Sequence, residues 1–307
     1  MEKVIVVIGP TSVGKTKMGV ALAKKFNGEV ISGDSMQIYK QMDIGTAKVT
    51  EEEKEGIIHH CVDILNPDET YSVHDFQQTV RKKITEITQR GHVPIIVGGT
   101  GLYIKAALYD YHFDEMENDH HAINEKYKDY TNEQLHDHLK SIDEESAKIL
   151  HFNNRRRVLR AIEIYETTGK RKSEMLEEQE HICLYDAYFV GLTLPRDVLY
   201  ERINKRVDVM MENGLKEEME RLYSQGLTRN HQSMKAIGYK EWFDYYDHQI
   251  DLNDVLELIK KHSRQYAKRQ YTWFKNQFDV HWYDVNLENF EQTIEQVTDD
   301  IEKILKV

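Results

Sequence analysis

The chain is poor in the residues that mark several protein classes. Of 307 residues only four are proline, and there is no long polar tract, which argues against a disordered tail. Its two cysteines, Cys61 and Cys183, lie far apart without a Cys-x-x-Cys partner. That spacing favours reduced thiols in a cytosolic protein over a metal site or a disulfide framework. No apolar run approaches a membrane span, and the run in MEKVIVVIGP is too short for a signal peptide. A cytoplasmic monomer with no membrane partner is expected. Positive charge is also in deficit, with 41 Lys and Arg against 53 Asp and Glu, a net charge of −12.

Net charge describes a whole surface, whereas nucleic-acid binding depends on a local patch. Basic residues do cluster. Arg155, Arg156, Arg157 and Arg160 fall together, and six Lys or Arg lie between Lys260 and Lys275 with no acidic residue among them. Solvated helix faces explain such runs as well as RNA does.

Short apolar segments at Val4–Ile8, Glu29–Ile31, Val93–Val97 and Ala187–Leu194 alternate with helical stretches. This pattern indicates a parallel sheet with helices on both faces. Residues 111–184 change character, being rich in charge and helix formers and free of proline. They read as a helical insertion, with NEQLHDHLKSID and RRRVLRAIEIYETTG as helices, the second stopping at Gly169. The expected organisation is a core of residues 1–110 and 185–307 interrupted by that insertion. After Pro195 the pattern is helical almost to the end, with Leu199, Ile203, Val207, Met210 and Met211 on one apolar face.

Gly9-Pro10-Thr11-Ser12-Val13-Gly14-Lys15-Thr16 fits GxxxxGK[ST] between a strand and a helix, which makes the core P-loop NTPase-like. Backbone amides and the helix dipole hold a phosphate there, Lys15 adds a cation, and Thr16 offers a hydroxyl to Mg²⁺. Two features set the chain apart from an ordinary NTPase. The strand that should end in a Mg²⁺-binding Asp runs instead into Gly98-Gly99-Thr100-Gly101. The informative carboxylate is Asp34, beyond the second strand. Strand C-termini converge on the ligand crevice of such a sheet, so Asp34 and Thr100 should face the phosphate. Asp34 there can accept a proton from an acceptor; capping a turn, or reaching Mg²⁺ through water, are the alternatives.

Taken in order, GPTSVGKT, SGDSMQIYKQMDIGTAK (32–48), HHCVDILNPDETYSVHDF (59–76), PIIVGGTGLYIKA (94–106), RRRVLRAIEIYETTGK, the stretch 202–214, SMKAIGYKE (233–241) and RQYAKRQYTWF (264–274) resemble the tRNA dimethylallyltransferases of bacterial type, also called tRNA isopentenyltransferases. The resemblance spans nearly the whole chain. It implies transfer of a dimethylallyl group from dimethylallyl diphosphate to N6 of the adenosine 3′ of the anticodon. By the same resemblance Asp34 is the base, Thr11 to Thr16 hold the diphosphate with Thr16 on Mg²⁺, and Arg206 neutralises the leaving group. For the tRNA anticodon stem-loop it points to Asp34, Ser35, Met36, Gln37 and Thr100. It adds Arg156, Arg157, Val158, Leu159 and Arg160, then Lys235, Ala236, Ile237, Gly238, Tyr239 and Lys240. The last group is Lys268, Arg269, Gln270, Thr272 and Trp273, where Tyr271 and Trp273 read equally well as core. One departure is visible: the family often has an arginine soon after GGTGLYIKA, and DHHAINEKYKDY (119–130) has none. Lys126 and Lys128 are the available substitutes, and neither is assigned. His59 and His60 lack a third ligand and read as structural hydrogen-bonding residues. A P-loop small-molecule kinase and an adenylate prenyltransferase share the donor site, but neither uses the arginine-rich insertion.

Overall fold

The computed structural model describes residues 1–111, 120–177 and 181–305. Residues 112–119 and 178–180 of the expected insertion, and 306–307 of the expected core, lie outside the described residues. In chain order the first elements are β1 (Lys3–Ile8), α1 (Lys15–Lys25), β2 (Gly28–Ser32), α2 (Glu51–Lys54), β3 (His59–His60), α3 (Val73–Gln89), β4 (Val93–Gly98) and α4 (Gly101–Leu108). Five helices follow: α5 (His120–Lys126), α6 (Asn132–Ile142), α7 (Glu144–Ile149), α8 (Arg155–Thr168) and α9 (Lys172–Glu177). The chain then runs through β5 (Asp186–Thr193), α10 (Arg196–Glu212), α11 (Leu215–Ser224), α12 (Trp242–Tyr246), α13 (Leu252–Gln277), β6 (His281–Asp284) and α14 (Phe290–Leu305).

The six strands form one sheet in the order β3-β2-β4-β1-β5-β6, every pair parallel. β1 is central and apolar on both faces, as a covered parallel strand must be. Val4, Val6 and Ile8 enter one core, which includes Phe76, Ile104, Trp242 and Phe274. Ile5 and Val7 enter the other, with Met18, Leu22, Leu199 and Ile203. Each fully buried aliphatic side chain of this kind contributes about 1.5–3 kcal/mol relative to exposure.

Two strands escape the sequence pattern. β3 is a two-residue pairing of His59 and His60 with Val30 and Ile31. β6 interrupts what reads as continuous helix after Pro195, pairing His281–Asp284 with Val190–Thr193. Both are edge strands, so neither has to be apolar on two faces.

The chain divides into two compact units, Met1–Tyr109 with Cys183–Val307, and Asp110–Ile182. The second has its own core, in which Leu135, Leu139, Val158, Leu159, Ala161 and Ile162 are buried. Thr131 caps α6 with a reciprocal capping box, and α8 ends at Gly169 in the left-handed conformation. Among the described residues no helix is long and apolar enough to cross a membrane.

Candidate active site

Strand register brings three loops together at the C-terminal edge of the sheet. Ile8 pairs with Gly98 and Ser32 with Val97, so the segments beginning at Gly9, Gly33 and Gly99 emerge side by side. Contact between the last two is intimate. A Cβ on Gly98 would lie 2.3 Å from backbone atoms of Gly33, so no larger residue fits there without moving one strand end. The Thr100 amide donates to the Gly33 carbonyl (3.2 Å), and the Thr100 hydroxyl accepts from the Ser35 amide (3.1 Å).

The P-loop follows β1. Gly14 precedes α1 in the left-handed region (φ 108°), and no side chain caps the helix, which leaves its first-turn amides available to an anion. Ser12 also has positive φ (66°), and its hydroxyl is buried without a partner. Three cations address this loop. Lys15 Nζ donates to the Pro10 carbonyl (2.7 Å), Arg202 Nε to the Ser12 carbonyl (3.0 Å), and Arg206 Nη1 to the Thr11 hydroxyl (3.4 Å).

Lys15, Asp34 and Arg206 are half-buried, and desolvation governs all three. Burial and then the neighbouring Arg206 push Lys15 down to about 7, against an opposing pull from Asp34. Burial likewise lowers Arg206. Burial raises Asp34 above the usual carboxylate range despite the Met36 amide, Lys15, the Gln37 amide and Arg206, all of which favour its charged form. Two crowded cations facing a single carboxylate leave the pocket short of negative charge, an environment suited to an anion. Asp34 Oδ1 accepts from the Met36 amide (2.9 Å), so the carboxylate does cap a turn while facing Lys15 and Arg206.

Structure redistributes the residues expected to meet RNA. Gln270 is 5% exposed, and its amide bridges the Thr11 amide and the Gly99 carbonyl, both at 3.0 Å. It ties α13 to the P-loop instead of facing outward. Val158 and Leu159 are buried in the helical unit, and Ala236, Gly238 and Tyr239 are buried as well. The side chains of Val158, Leu159, Ala236 and Tyr239 are inward because a helix or tight turn that carries surface cations must bury its opposite face. Arg155 holds the carbonyls of Tyr127 and Tyr130, and Arg160 pairs with Glu163 at 2.8 Å. Arg156, Arg157, Lys235, Lys240, Lys268, Arg269 and Thr272 are exposed, and Ile237 and Trp273 are half-buried. A surface groove of about 510 Å³ along α13 is lined by Lys268, Arg269, Thr272 and Trp273 with Gln265, Asn276 and Gln277. Lys126 pairs with Glu166 and Lys128 with Glu125, so each already has a carboxylate partner. His59 meets the Ile57 carbonyl and His60 the buried Glu29.

Arg202 and Tyr266 are site residues that sequence reasoning missed. The Tyr266 hydroxyl donates to the Gly99 carbonyl (3.2 Å), and burial and then Asp34 push it up to about 12. Spacing carried the signal: Arg202 precedes Arg206, and Tyr266 precedes Gln270, by one helical turn.

The IPP transferase family model matches residues 37–277. A tRNA dimethylallyltransferase of Bacillus cereus strain AH187 is 54% identical, over 92% of this chain and 90% of its own. The chain belongs to the IPP transferase family. Among solved members, the tRNA delta(2)-isopentenylpyrophosphate transferase of Staphylococcus epidermidis is 47% identical, with 99% of each chain covered and a TM-score of 0.74. A eukaryotic dimethylallyltransferase described as acting on tRNA gives a TM-score of 0.86 at 33% identity, covering 99% of this chain and 79% of the other. The two structural alignments take in both the sheet and the inserted helices, whereas the family model begins after the P-loop and β2 and ends before β6.

Proposed function

We propose that the protein transfers a dimethylallyl group from dimethylallyl diphosphate to the exocyclic N6 of the adenosine 3′ of the tRNA anticodon. The observation that carries this reading is the joining of Lys15, Arg206 and Asp34 in one desolvated pocket at the mouth of the P-loop, on a chain of this family. The allylic C–O bond breaks and its electron pair leaves with the diphosphate. The P-loop amides, Lys15 and Arg206 stabilise that growing charge, which is where most of the acceleration should arise. The N6 lone pair forms the new C–N bond, and Asp34 takes the N6 proton. A carboxylate whose proton affinity burial has raised suits that task.

Among the described residues no three His, Cys, Asp or Glu side chains gather as a metal cage. Thr16, in the first turn of α1, would hold Mg²⁺ through its hydroxyl as a single protein ligand, which suits a cation that keeps most of its shell from water and substrate. Such a cation would add charge neutralisation at the leaving group. RNA is gripped by the exposed cations of α8 and α13, and the target base must be drawn from its stack to reach Asp34. The protein is read as a monomer, and a tRNA acceptor makes the cytoplasm the expected compartment.

The test is an acceptor comparison. Protein, Mg²⁺ and labelled dimethylallyl diphosphate are incubated with total tRNA, AMP or ATP. Label should enter tRNA; label in AMP or ATP alone would make the protein an adenylate prenyltransferase.

A further inference from the structure

Glu218 takes no part in that chemistry, yet four donors converge on it. It sits on α11, 1% exposed. Its Oε2 accepts from the amides of Asp43 and Ile44, both at 2.9 Å. Its Oε1 accepts from the Gly45 amide at 3.0 Å and the Tyr239 hydroxyl at 2.6 Å. A carboxylate is the side chain with acceptor capacity for four donors and no donor of its own to clash with them. Gly45 also lies flat against Tyr239, since a Cβ there would come within 2.5 Å of the ring.

The segment so gripped is the far end of the loop that begins at Asp34. Lys48, 9% exposed, secures the same end by donating to the Tyr39 carbonyl (2.8 Å) and to Asp43 and Asp63 (2.6 and 2.5 Å). Gln37 connects the two ends. Its Nε2 donates to the carbonyls of Thr46 (3.4 Å) and Ala47 (3.3 Å), and its Oε1 accepts from the Ser32 hydroxyl (3.0 Å). That hydroxyl in turn accepts from the Asp34 amide (3.4 Å), and the Gln37 amide favours the charged form of Asp34. An unbroken set of contacts therefore runs from Glu218 through the 43–47 turn and Gln37 to Asp34.

We propose that Glu218 is a positioning residue for the transfer step: by gripping the amides of residues 43–45 it fixes Gln37 and, through it, the orientation of the Asp34 carboxylate. This rests on the reading of Asp34 as the base. Packing alone would be met by an apolar residue of similar volume. A rigid turn, in contrast, needs an acceptor that gathers three successive amides where water is excluded. The P-loop lies on a separate part of the pocket, bonded to Gln270, Arg202 and Arg206, and among the described residues it makes no hydrogen bond to the 43–48 turn.

The test separates rate from donor binding. In Glu218→Gln an NH₂ replaces one acceptor oxygen and faces the amide donors. Single-turnover transfer at saturating tRNA and dimethylallyl diphosphate should slow at least tenfold, while donor affinity stays within twofold of wild type. Tyr239→Phe keeps the ring under Gly45 and removes one bond to Glu218, so it should slow transfer a few-fold with the same split. Wild-type rates in a folded Glu218→Gln protein would overturn the proposal, as would a donor affinity that falls in step with the rate. If Glu218→Gln does not fold, Tyr239→Phe decides by the same criteria. Asp34→Asn run in parallel distinguishes the two failures, because wild-type transfer in that variant would remove Asp34, not Glu218, from the mechanism.

Discussion

Cations do different physical work in the two units. In the core, Lys15, Arg202 and Arg206 all address the P-loop, through Pro10, Ser12 and Thr11. Lys15 and Arg206 are desolvated there, and each feels Asp34. In the helical unit the arginines diverge. Arg155 is held by carbonyls, Arg160 by Glu163, and Arg156 and Arg157 face solvent. Lys172 is the neighbour on which two of them act, its proton affinity lowered by burial and then by Arg157 and Arg160. Converging, desolvated cations make a site defined by geometry. Exposed cations on a helix make a field, which salt screens.

The sharpest way to break this contrast is Asp34→Asn. Transfer should fall by roughly 10²–10⁴-fold, the range for loss of a general base, with donor and tRNA affinities nearly unchanged. Single-turnover rates and equilibrium binding check it. Wild-type rates would place the essential base elsewhere.

A smaller effect follows from Lys15. In the donor-free pocket it titrates at about 7, held down by burial and Arg206. An anionic diphosphate favours the charged lysine, so binding raises its pKa and takes up a proton above pH 7. Donor affinity should therefore weaken as pH rises from about 7.5 to 9, by up to about tenfold per unit. Titration calorimetry in buffers of different ionisation enthalpy would report the proton. Lys15→Arg should flatten the dependence, because guanidinium does not titrate in this range. A wild-type slope in that variant would assign the proton to another group.

The smallest effect belongs to the helical unit. Replacing Arg156 and Arg157 together with alanine should weaken tRNA binding several-fold at moderate salt. The log–log salt slope should flatten by about one to two units if both contact phosphate. Arg160 is left in place because its pairing with Glu163 would mix folding with binding. Donor affinity should not change. An unaltered slope would make α8 a solvated face and move the RNA surface elsewhere.

The sheet centre was legible in the sequence because β1, β2, β4 and β5 are covered on both faces and are therefore mostly apolar, the buried Glu29 of β2 being paired with Arg90 and His60. The edge strands β3 and β6 carry no such demand, and HH and HWYD read as anything. Asp34, Thr100 and the P-loop were legible because strand ends in such a sheet converge. Gln270 and Glu218 were not. A buried polar side chain looks like an exposed one in sequence, and what fixes Gln270 is an amide 259 residues away. For the same reason the cluster Arg156 to Arg160 read as a continuous binding stretch, although Val158 and Leu159 are the inward face of the helix that displays it.

The most direct test concerns what the P-loop holds. Protein freed of nucleotide is given dimethylallyl diphosphate, Mg²⁺ and tRNA, with and without ATP, and both prenyl transfer and ATP hydrolysis are followed. Transfer should proceed at the same rate in both samples, inorganic diphosphate should inhibit it competitively with the donor, and ATP should not be hydrolysed. A requirement for ATP, or hydrolysis coupled to transfer, would contradict a diphosphate-holding P-loop and return the site to kinase-like chemistry.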